Sequence, residues 1–470
     1  MADIPLCVDL DGTLVRSDLL IESAAALVKT QPWRLLVLPF WSVRGLAFLK
    51  RRLADSASLD VDALPLHGPL LERLREAKAA GRRLVLATAA DESLARRVAG
   101  RVGLFDEVLA SADGVNLIGE AKARVLVERF GWGGFDYAGD HANDLPVWRA
   151  ARKAILVDAP ERLAEEVAAL VPVERVFSSD LGRLREAWRA VRPHQWGKNL
   201  IVFVPVVASH RLELPVLGQA LSAAAAFSLC ASSVYLLNDL LDLQADRASP
   251  VKKARPFAAG SLPLSWALLA LPLLAAAAGI ASLLPAEFGW VLAGYYVLTL
   301  LYSLKLRSVV VLDVLCLAGL YTARLFAGHA ATGIPYSPWL SGFSLFLFLS
   351  LALMKRYVEF SGSAAAPAGR GYGAADALLL RNAGLAGTLA AVLIFAFYIR
   401  SQAVAPLYTR PGLLWLVGLL ILFALGRMWL LARRGGLDDD PVRFVLRDKT
   451  SWLCAALTAA VLAAASGWTS

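Results

Sequence analysis

The chain has 470 residues, of which 57% are hydrophobic and 19% charged, with a formal net charge of +9. That balance excludes a disordered chain and a lone small soluble domain, and the length allows two or three domains. The apolar residues are unevenly spread. About the first 190 residues are mixed and charged, and the rest is dominated by runs of Leu, Ala, Val and Phe, so a soluble part followed by a membrane part is expected. The basic excess is then assigned to cytoplasmic loops, and nothing in the pattern reads as a nucleic-acid groove. Cys7, Cys230, Cys316 and Cys454 lack paired or metal-type spacing and read as unlinked thiols. The N-terminal stretch has no basic flank or long apolar core of a signal peptide, so the soluble part is expected to stay in the cytoplasm.

Ile4–Leu10 reads as a buried parallel strand. It delivers Asp9-Leu10-Asp11-Gly12-Thr13, two carboxylates two residues apart followed by a glycine turn. Such a pair suits phosphoryl transfer: one Asp attacks phosphorus while the other protonates the leaving oxygen. The segment resembles the first motif of haloacid dehalogenase-type (HAD) phosphatases, and the remaining motifs of that family follow in order. Arg83–Ala87 reads as a strand ending at Thr88, where the family places a phosphate-binding hydroxyl. Lys122 opens a helix-like run and is placed to neutralise the phosphate. Phe135–Ala138 is a further strand, followed by Gly139-Asp140-His141-Ala142-Asn143-Asp144. That segment is similar to the family's GDxxxD, whose acids hold Mg²⁺ together with Asp9 and Asp11. The resemblance implies an α/β Rossmann-like HAD domain over residues 1–180.

The roughly 70 residues between the first two motifs suffice for a helical cap, about residues 16–80. Within them Trp33–Leu49 is apolar but interrupted by Arg34, Pro39 and Arg44, and it falls short of the ~20 residues a span needs. A cap helix pair is expected there, its apolar face resting on the membrane surface or on the second domain. Residues 181–193 then read as an interfacial amphipathic linker helix, with Leu184, Trp188 and Val191 on one side and Arg183, Arg185, Arg189 and Arg192 around them.

Residues 194–470 are expected to form an all-α membrane domain of about nine spans, near 196–211, 215–238, 264–284, 287–303, 309–329, 337–354, 378–399, 411–431 and 451–468. With the N-terminus inside, fourteen Lys and Arg residues fall in inside loops and three in outside loops, as the positive-inside rule requires. A multi-pass protein of the inner or plasma membrane follows, with its soluble domain cytoplasmic. The pattern carries no oligomeric signature. Arg324 lies within the fifth span and should face the bundle interior, since an Arg at mid-bilayer costs ~2.5–3.5 kcal/mol on insertion scales.

Four polar clusters are assigned to the inside face. The first, His194–Asn199, contains Lys198 and Asn199 and reads either as a binding element or as a snorkelling anchor. In the second, Asn238–Pro256, Asp239, Asp242 and Asp246 are spaced for one helical face, with Asn238 one turn before Asp242. Hard oxygen donors of this kind suit Mg²⁺ completed by phosphate oxygens, and Lys252, Lys253 and Arg255 follow as phosphate partners. The third is a turn with Tyr302, Lys305 and Arg307. The fourth holds Lys355, Arg356 and Glu359, followed by a Gly/Ala-rich loop with Arg370 that reads as a lid or as a plain connector.

NDxxDxxxD with a basic pair and RP resembles the first Asp-rich motif of the UbiA superfamily of intramembrane prenyltransferases. Most such enzymes carry a second Asp-rich motif after the sixth span, where this chain has KRYVE. RPHQWGKN, NDLLDLQADRASPVKKARP, YSLKLRS and KRYVE together resemble the decaprenyl-phosphate phosphoribosyltransferase branch. That resemblance implies Mg²⁺-dependent transfer of 5-phosphoribosyl from phosphoribosyl pyrophosphate (PRPP) to a polyprenyl phosphate. Asp239, Asp242, Asp246 and Asn238 would hold Mg²⁺–pyrophosphate, and Lys355, Arg356 and Arg255 would hold phosphates. Lys198, Lys305 and Arg307 would serve the lipid phosphate or the 5-phosphate. The HAD domain would then remove the 5-phosphate from the lipid-linked product. The alternative is an aromatic or quinone-type prenyltransferase with a vestigial or regulatory HAD domain. A membrane scaffold or transporter with a regulatory phosphatase head is a further alternative.

Overall fold

β1 (Leu6–Val8) is three residues long and wholly buried, because both of its faces are covered. In the computed structural model it pairs in parallel with β2 (Leu84–Asp91) and with β4 (Asp136–Gly139), placing Cys7 opposite Val85 and Tyr137. With β3 (Glu107–Ser111), β5 (Lys153–Val157) and β6 (Val173–Phe177) it makes a six-stranded parallel sheet of order β3-β2-β1-β4-β5-β6. Side chains alternate across the sheet with the period of two that strands impose. Leu6, Val8, Leu84 and Leu86 enter one hydrophobic layer, and Cys7, Val85, Ala87 and Tyr137 enter the other. This is the α/β arrangement expected, with the strand ends carrying Asp9, Thr88 and Asp140 on one edge.

The structure describes residues 4–112, 114–178, 182–361, 372–437 and 441–466. Met1–Val191 and Tyr235–Leu269 form one unit, and Arg192–Val234 and Ala270–Ser470 form the other.

In the first unit the cap begins with α1 (Leu19–Thr30), capped by Asp18, whose carboxylate accepts the Ile21 N–H at 3.0 Å. The apolar run after it is cut into a 3₁₀ turn (Pro32–Leu36), a short helix (Leu38–Val43) and α2 (Leu46–Ser56), so it forms no spanning helix. Leu27, Leu53 and Ala57 bury the inner face of the cap. Trp33, Leu36, Phe40 and Val43 stay exposed on its outer face. Two helices cover one side of the sheet, α3 (Gly68–Ala79) through Leu70 and Leu74, and α4 (Glu92–Val102) through Leu94 and Val98. α5 (Glu120–Phe130) covers the other with Ala123 and Leu126. The helix Arg183–Val191 buries Glu186, Ala187 and Ala190 while Leu184 and Trp188 face outward.

Residues 235–269 are bound into this unit by polar contacts. Arg247 grips Glu22 of α1 through both guanidinium nitrogens, and Lys29 Nζ lies 2.7 Å from Asp242 Oδ1. Gln244 Nε2 donates to Ser58 O at 3.2 Å, and Ser261 Oγ donates to Glu186 at 2.8 Å.

Among the described residues of the chain, seven helices are long and apolar enough to cross a membrane, not the nine expected: Leu214–Leu241, Leu264–Ala281, Leu312–Thr332, Pro338–Ser361, Ala377–Arg400, Pro411–Arg433 and Lys449–Ser466. The stretch expected at 196–211 is a 3₁₀ segment (Pro193–Phe203) followed by a short helix (Val204–Ala208) and a break. Gly197 and Pro205 interrupt its apolar run, and proline lacks the N–H a continuous helix would need. The stretch expected at 287–303 is helical (Ala286–Leu304), but with Glu287 and three tyrosines it is less apolar than the seven. In the second unit Arg324 is buried and faces the interior. Its Nε donates to Asn199 Oδ1 (2.8 Å), its Nη1 to Leu320 O (2.5 Å) and its Nη2 to the Tyr295 hydroxyl (3.0 Å).

Candidate active sites

The end of β1 builds the first site. Asp9 follows directly, its N–H donating to Ala138 O at 2.9 Å, which fixes it between β1 and β4. Gly12 turns the chain with φ +79°, and its missing side chain matters: a Cβ there would lie 2.2 Å from Asp140 Oδ2. Thr13 Oγ1 donates to Asp140 Oδ1 at 2.9 Å. Asp11 lines the same cavity and accepts the Leu19 N–H at 2.9 Å, at the first turn of α1. Lys122 of α5 is buried, and its ammonium donates to Asp9 Oδ1 (2.9 Å), Asp144 Oδ1 (3.0 Å) and the Tyr137 hydroxyl (2.8 Å). The Tyr137 hydroxyl donates in turn to Asp144 Oδ1 at 2.8 Å. Thr88 sits where the β2–β3 register shifts. Its oxygen accepts the Ala90 N–H at 3.0 Å, which leaves its hydroxyl proton to offer to an anion.

Burial pushes the Asp9 carboxyl up to about 6, against the pull of Lys122. Burial and the neighbouring Asp18 hold Asp11 well above the carboxylate range, and burial with Asp9 does the same for Asp140. Burial alone would lower Lys122, but Asp9 and Asp144 outweigh it and keep the ammonium charged. Asp9, Asp140 and Asp144 each offer an oxygen within 4.8 Å of the others. The second Asp144 oxygen is buried without a hydrogen-bond partner. Three hard donors and an orphaned carboxylate oxygen fit a divalent cation of the Mg²⁺ type. These residues open into a cavity of about 730 Å³.

The Asp-rich segment forms a second cluster. Asp239 lies in the last turn of the helix Leu214–Leu241, the helix breaks at Asp242, and a short helix, Leu243–Ala248, carries Asp246. Asp239 and Asp246 are buried and are joined by one cation: Arg255 Nη1 lies 3.2 Å from Asp239 Oδ1 and 2.6 Å from Asp246 Oδ2. Burial raises the Asp246 carboxyl, with Arg255 opposing. Asn238 Oδ1 is buried without a hydrogen-bond partner. Two buried carboxylates on one guanidinium, with an orphaned amide oxygen in the same segment, are hard oxygen donors of the kind Mg²⁺ prefers, and Arg255 supplies the positive charge between Asp239 and Asp246. Lys252 is exposed in the turn Lys252–Ala254.

In the second unit Arg356 is buried among acids and a phenol. Its Nε donates to Asp313 Oδ2, its Nη2 to Asp313 Oδ1 (2.8 Å) and to the Tyr302 hydroxyl (2.8 Å), and its Nη1 to Glu359 Oε2 (2.5 Å). Tyr302 donates to Asp313 Oδ1 at 2.8 Å. All three guanidinium nitrogens are engaged, so Arg356 orders Tyr302 and Glu359 instead of facing open space. Asn199 bridges Arg324 and Ser228, with its Nδ2 donating to Ser228 Oγ at 2.9 Å. Lys198 Nζ lies 6.0 Å from the centre of the Tyr321 ring. Lys305 is exposed, and Arg307 and Lys355 are half-buried. Arg370 lies outside the described residues.

Residues 200–452 match the UbiA prenyltransferase family, and residues 6–149 match haloacid dehalogenase-like hydrolases. The chain belongs to the UbiA prenyltransferase family. It is 38% identical over 465 residues to the uncharacterized protein y4nM of Sinorhizobium fredii, covering 97% of this chain and 90% of that protein. It is 32% identical over 274 residues to the nodulation protein NoeC of Azorhizobium caulinodans, covering 56% of this chain and 88% of that one. It is 38% identical over 177 residues to the decaprenyl-phosphate phosphoribosyltransferase of Mycolicibacterium smegmatis, covering 36% of this chain and 56% of that enzyme. This UbiA protein is thus a multi-pass membrane enzyme with an N-terminal HAD hydrolase domain and a UbiA transferase domain.

Within the HAD domain the structure brings Asp9, Lys122, Asp140 and Asp144 into direct contact or within ligand reach, with Asp11 and Thr88 on the same cavity. Sequence reasoning missed Tyr137, hidden inside a strand, and Lys50 of α2. Lys50 Nζ donates to Ala89 O (2.5 Å) and Asn116 Oδ1 (2.9 Å) at the cavity wall. Burial lowers its ammonium, with Asp11 opposing. In the UbiA domain it missed Asp313. The available signal was a carboxylate inside an apolar stretch, which demands a partner.

Proposed function

We propose that this protein is a bifunctional membrane enzyme that makes a polyprenyl-phosphoryl ribose. The UbiA domain transfers 5-phosphoribosyl from PRPP to a polyprenyl phosphate. The lipid phosphate oxygen attacks C1 of the ribose, the C1–oxygen bond to pyrophosphate breaks, and pyrophosphate leaves. Asp239, Asp242, Asp246 and Asn238 would hold Mg²⁺, which lends charge neutralisation to the leaving pyrophosphate. Lys252 and Arg255 would supply cationic charge beside the acidic motif, and Lys198, Lys305, Arg307, Lys355 and Arg370 are assigned to phosphates by the family resemblance of their sequence. Within the second unit Arg356 orders Tyr302 and Glu359, and Asn199 is held by Arg324 and Ser228. The name of the Mycolicibacterium relative and the KRYVE sequence support this donor and acceptor over a prenyl diphosphate.

The HAD domain then releases the 5-phosphate. Asp9 attacks phosphorus, Asp11 gives its proton to the departing 5-oxygen of the ribose, and a water activated by Asp11 cleaves the aspartyl phosphate. Lys122 and Thr88 hold the phosphate oxygens, and Asp9, Asp140 and Asp144 would hold a Mg²⁺ that offsets phosphate charge. In this reading the N-terminus and the phosphatase domain are cytoplasmic, as the basic inside loops of the sequence support. The observation that carries the two-step reading is the complete Asp9–Lys122–Asp144 cluster at the head of a large cavity, on the same chain as an Asp-rich UbiA motif. Tethering raises the local concentration of the first product for the second step.

The test is to incubate protein in detergent with Mg²⁺, labelled PRPP and a polyprenyl phosphate, and to identify the lipid by mass spectrometry. A ribosylated lipid without its 5-phosphate supports the reading. Consumption of a prenyl diphosphate with an aromatic acceptor, and no ribosylated lipid, would overturn it.

A further inference from the structure

The cavity at Asp9 is too large for a phosphate group alone, and part of its lining comes from a distant stretch of the chain. At about 730 Å³ it has the size of a pocket for a drug-sized ligand. Gly260, Ser261, Pro263 and Leu264, which follow the Asp-rich segment in the chain, line it together with the catalytic acids. Arg16, three residues past the DxDGT turn, lines it as well. The Arg16 Nε is buried without a hydrogen-bond partner, and no carboxylate pairs with its guanidinium among the described residues. A half-buried cation left this way gains from any anion brought to it.

Arg16 is also held firmly. Its N–H donates to Pro65 O at 2.8 Å. Gly260, at φ +66°, packs so closely that a Cβ there would lie 2.6 Å from both Arg16 Cβ and Arg16 O. Ser17, the next residue, donates its hydroxyl to Glu22, the acid that Arg247 grips. Leu20, Ile21, Pro263 and Leu264 give the same cavity an apolar part of its lining.

We propose that Arg16 is a specificity residue that binds a second anionic phosphate of the phosphatase substrate. The substrate class is a sugar carrying a phosphate monoester at one end and a phosphodiester with an apolar chain at the other. The monoester meets Asp9, the diester meets Arg16, and the start of the chain runs along Pro263 and Leu264. This inference rests on the phosphatase reading above and deepens it.

Phosphate release by the full-length protein with Mg²⁺ would be measured on p-nitrophenyl phosphate, on ribose 5-phosphate and on ribose 5-phosphate bearing a 1-(octyl phosphate) diester. Wild type should prefer the diester-bearing sugar over ribose 5-phosphate in kcat/KM by about tenfold or more, the worth of a charge-assisted hydrogen bond. Arg16→Gln should remove that preference while leaving p-nitrophenyl phosphate hydrolysis unchanged, and Arg16→Lys should restore part of it. Equal losses on all three substrates, or a wild type without the preference, would overturn the inference and leave the phosphatase reading standing. No release by wild type from any of the three would overturn both.

Discussion

Arg247 and Glu22 form a two-pronged ion pair, with Nη1 2.8 Å from Oε2 and Nη2 2.7 Å from Oε1, and both side chains almost fully buried. They lie 225 residues apart in sequence. Removing one partner leaves the other charge buried and uncompensated, which costs about 3–5 kcal/mol. Arg247→Met should therefore lower thermal stability in detergent by that order. Arg247→Met with Glu22→Leu should recover most of the loss. A single variant with unchanged melting would show that water reaches the pair.

Asp9→Asn keeps the shape of the side chain but removes the nucleophile. Phosphate release should fall by at least about a thousandfold, as loss of a nucleophile does elsewhere. PRPP consumption should continue, and the lipid product should stop at the 5-phosphorylated species in mass spectra. Loss of PRPP consumption as well would tie the two reactions together at the level of chemistry.

Lys29 stands 2.7 Å from Asp242, a carboxylate assigned to Mg²⁺–pyrophosphate. An ammonium there competes with a divalent cation for the same oxygen. Lys29→Ala should lower the Mg²⁺ concentration that half-saturates PRPP binding by about two- to fivefold, the scale of a partly screened ion pair. Calorimetric titration of PRPP at several Mg²⁺ levels reads this without turnover. A rise in the required Mg²⁺ would mean that Lys29 supports the motif.

Gly260→Ala introduces a Cβ 2.6 Å from Arg16 at a left-handed backbone position. Strain of this kind costs about 1–3 kcal/mol. The variant should lose phosphatase activity on a lipid-linked substrate before it loses global stability. Comparison of kcat/KM with the melting temperature checks that order.

The sequence made the catalytic edge of the HAD sheet legible because each residue there sits at a fixed distance from a strand end. Asp9 and Asp11 follow β1, Thr88 lies near the close of the regular part of β2, and Asp140 follows β4. Lys50, Arg16 and Gly260 were not legible as site residues, since the cap and a distant segment deliver them through tertiary packing. Arg356 was legible as a charge but not in its role. Asp313 answers it from 43 positions away, and no local spacing announces such a pair. Among the described residues seven candidate spans stand against nine expected, and one of the two differences lies where proline and glycine break an apolar run that hydropathy alone reads as continuous, at Gly197 and Pro205.

Residues 235–269 are packed with the first 191 residues although the chain between leaves for the other unit. The two enzymes therefore do not divide at a point along the gene. A cut after residue 191 would strip the phosphatase cavity of one wall, and a transferase begun after that cut would lose the surroundings of its own acidic motif. Descent would have to revise both activities through the same short stretch, so a change there that suits one reaction is judged at once by the other.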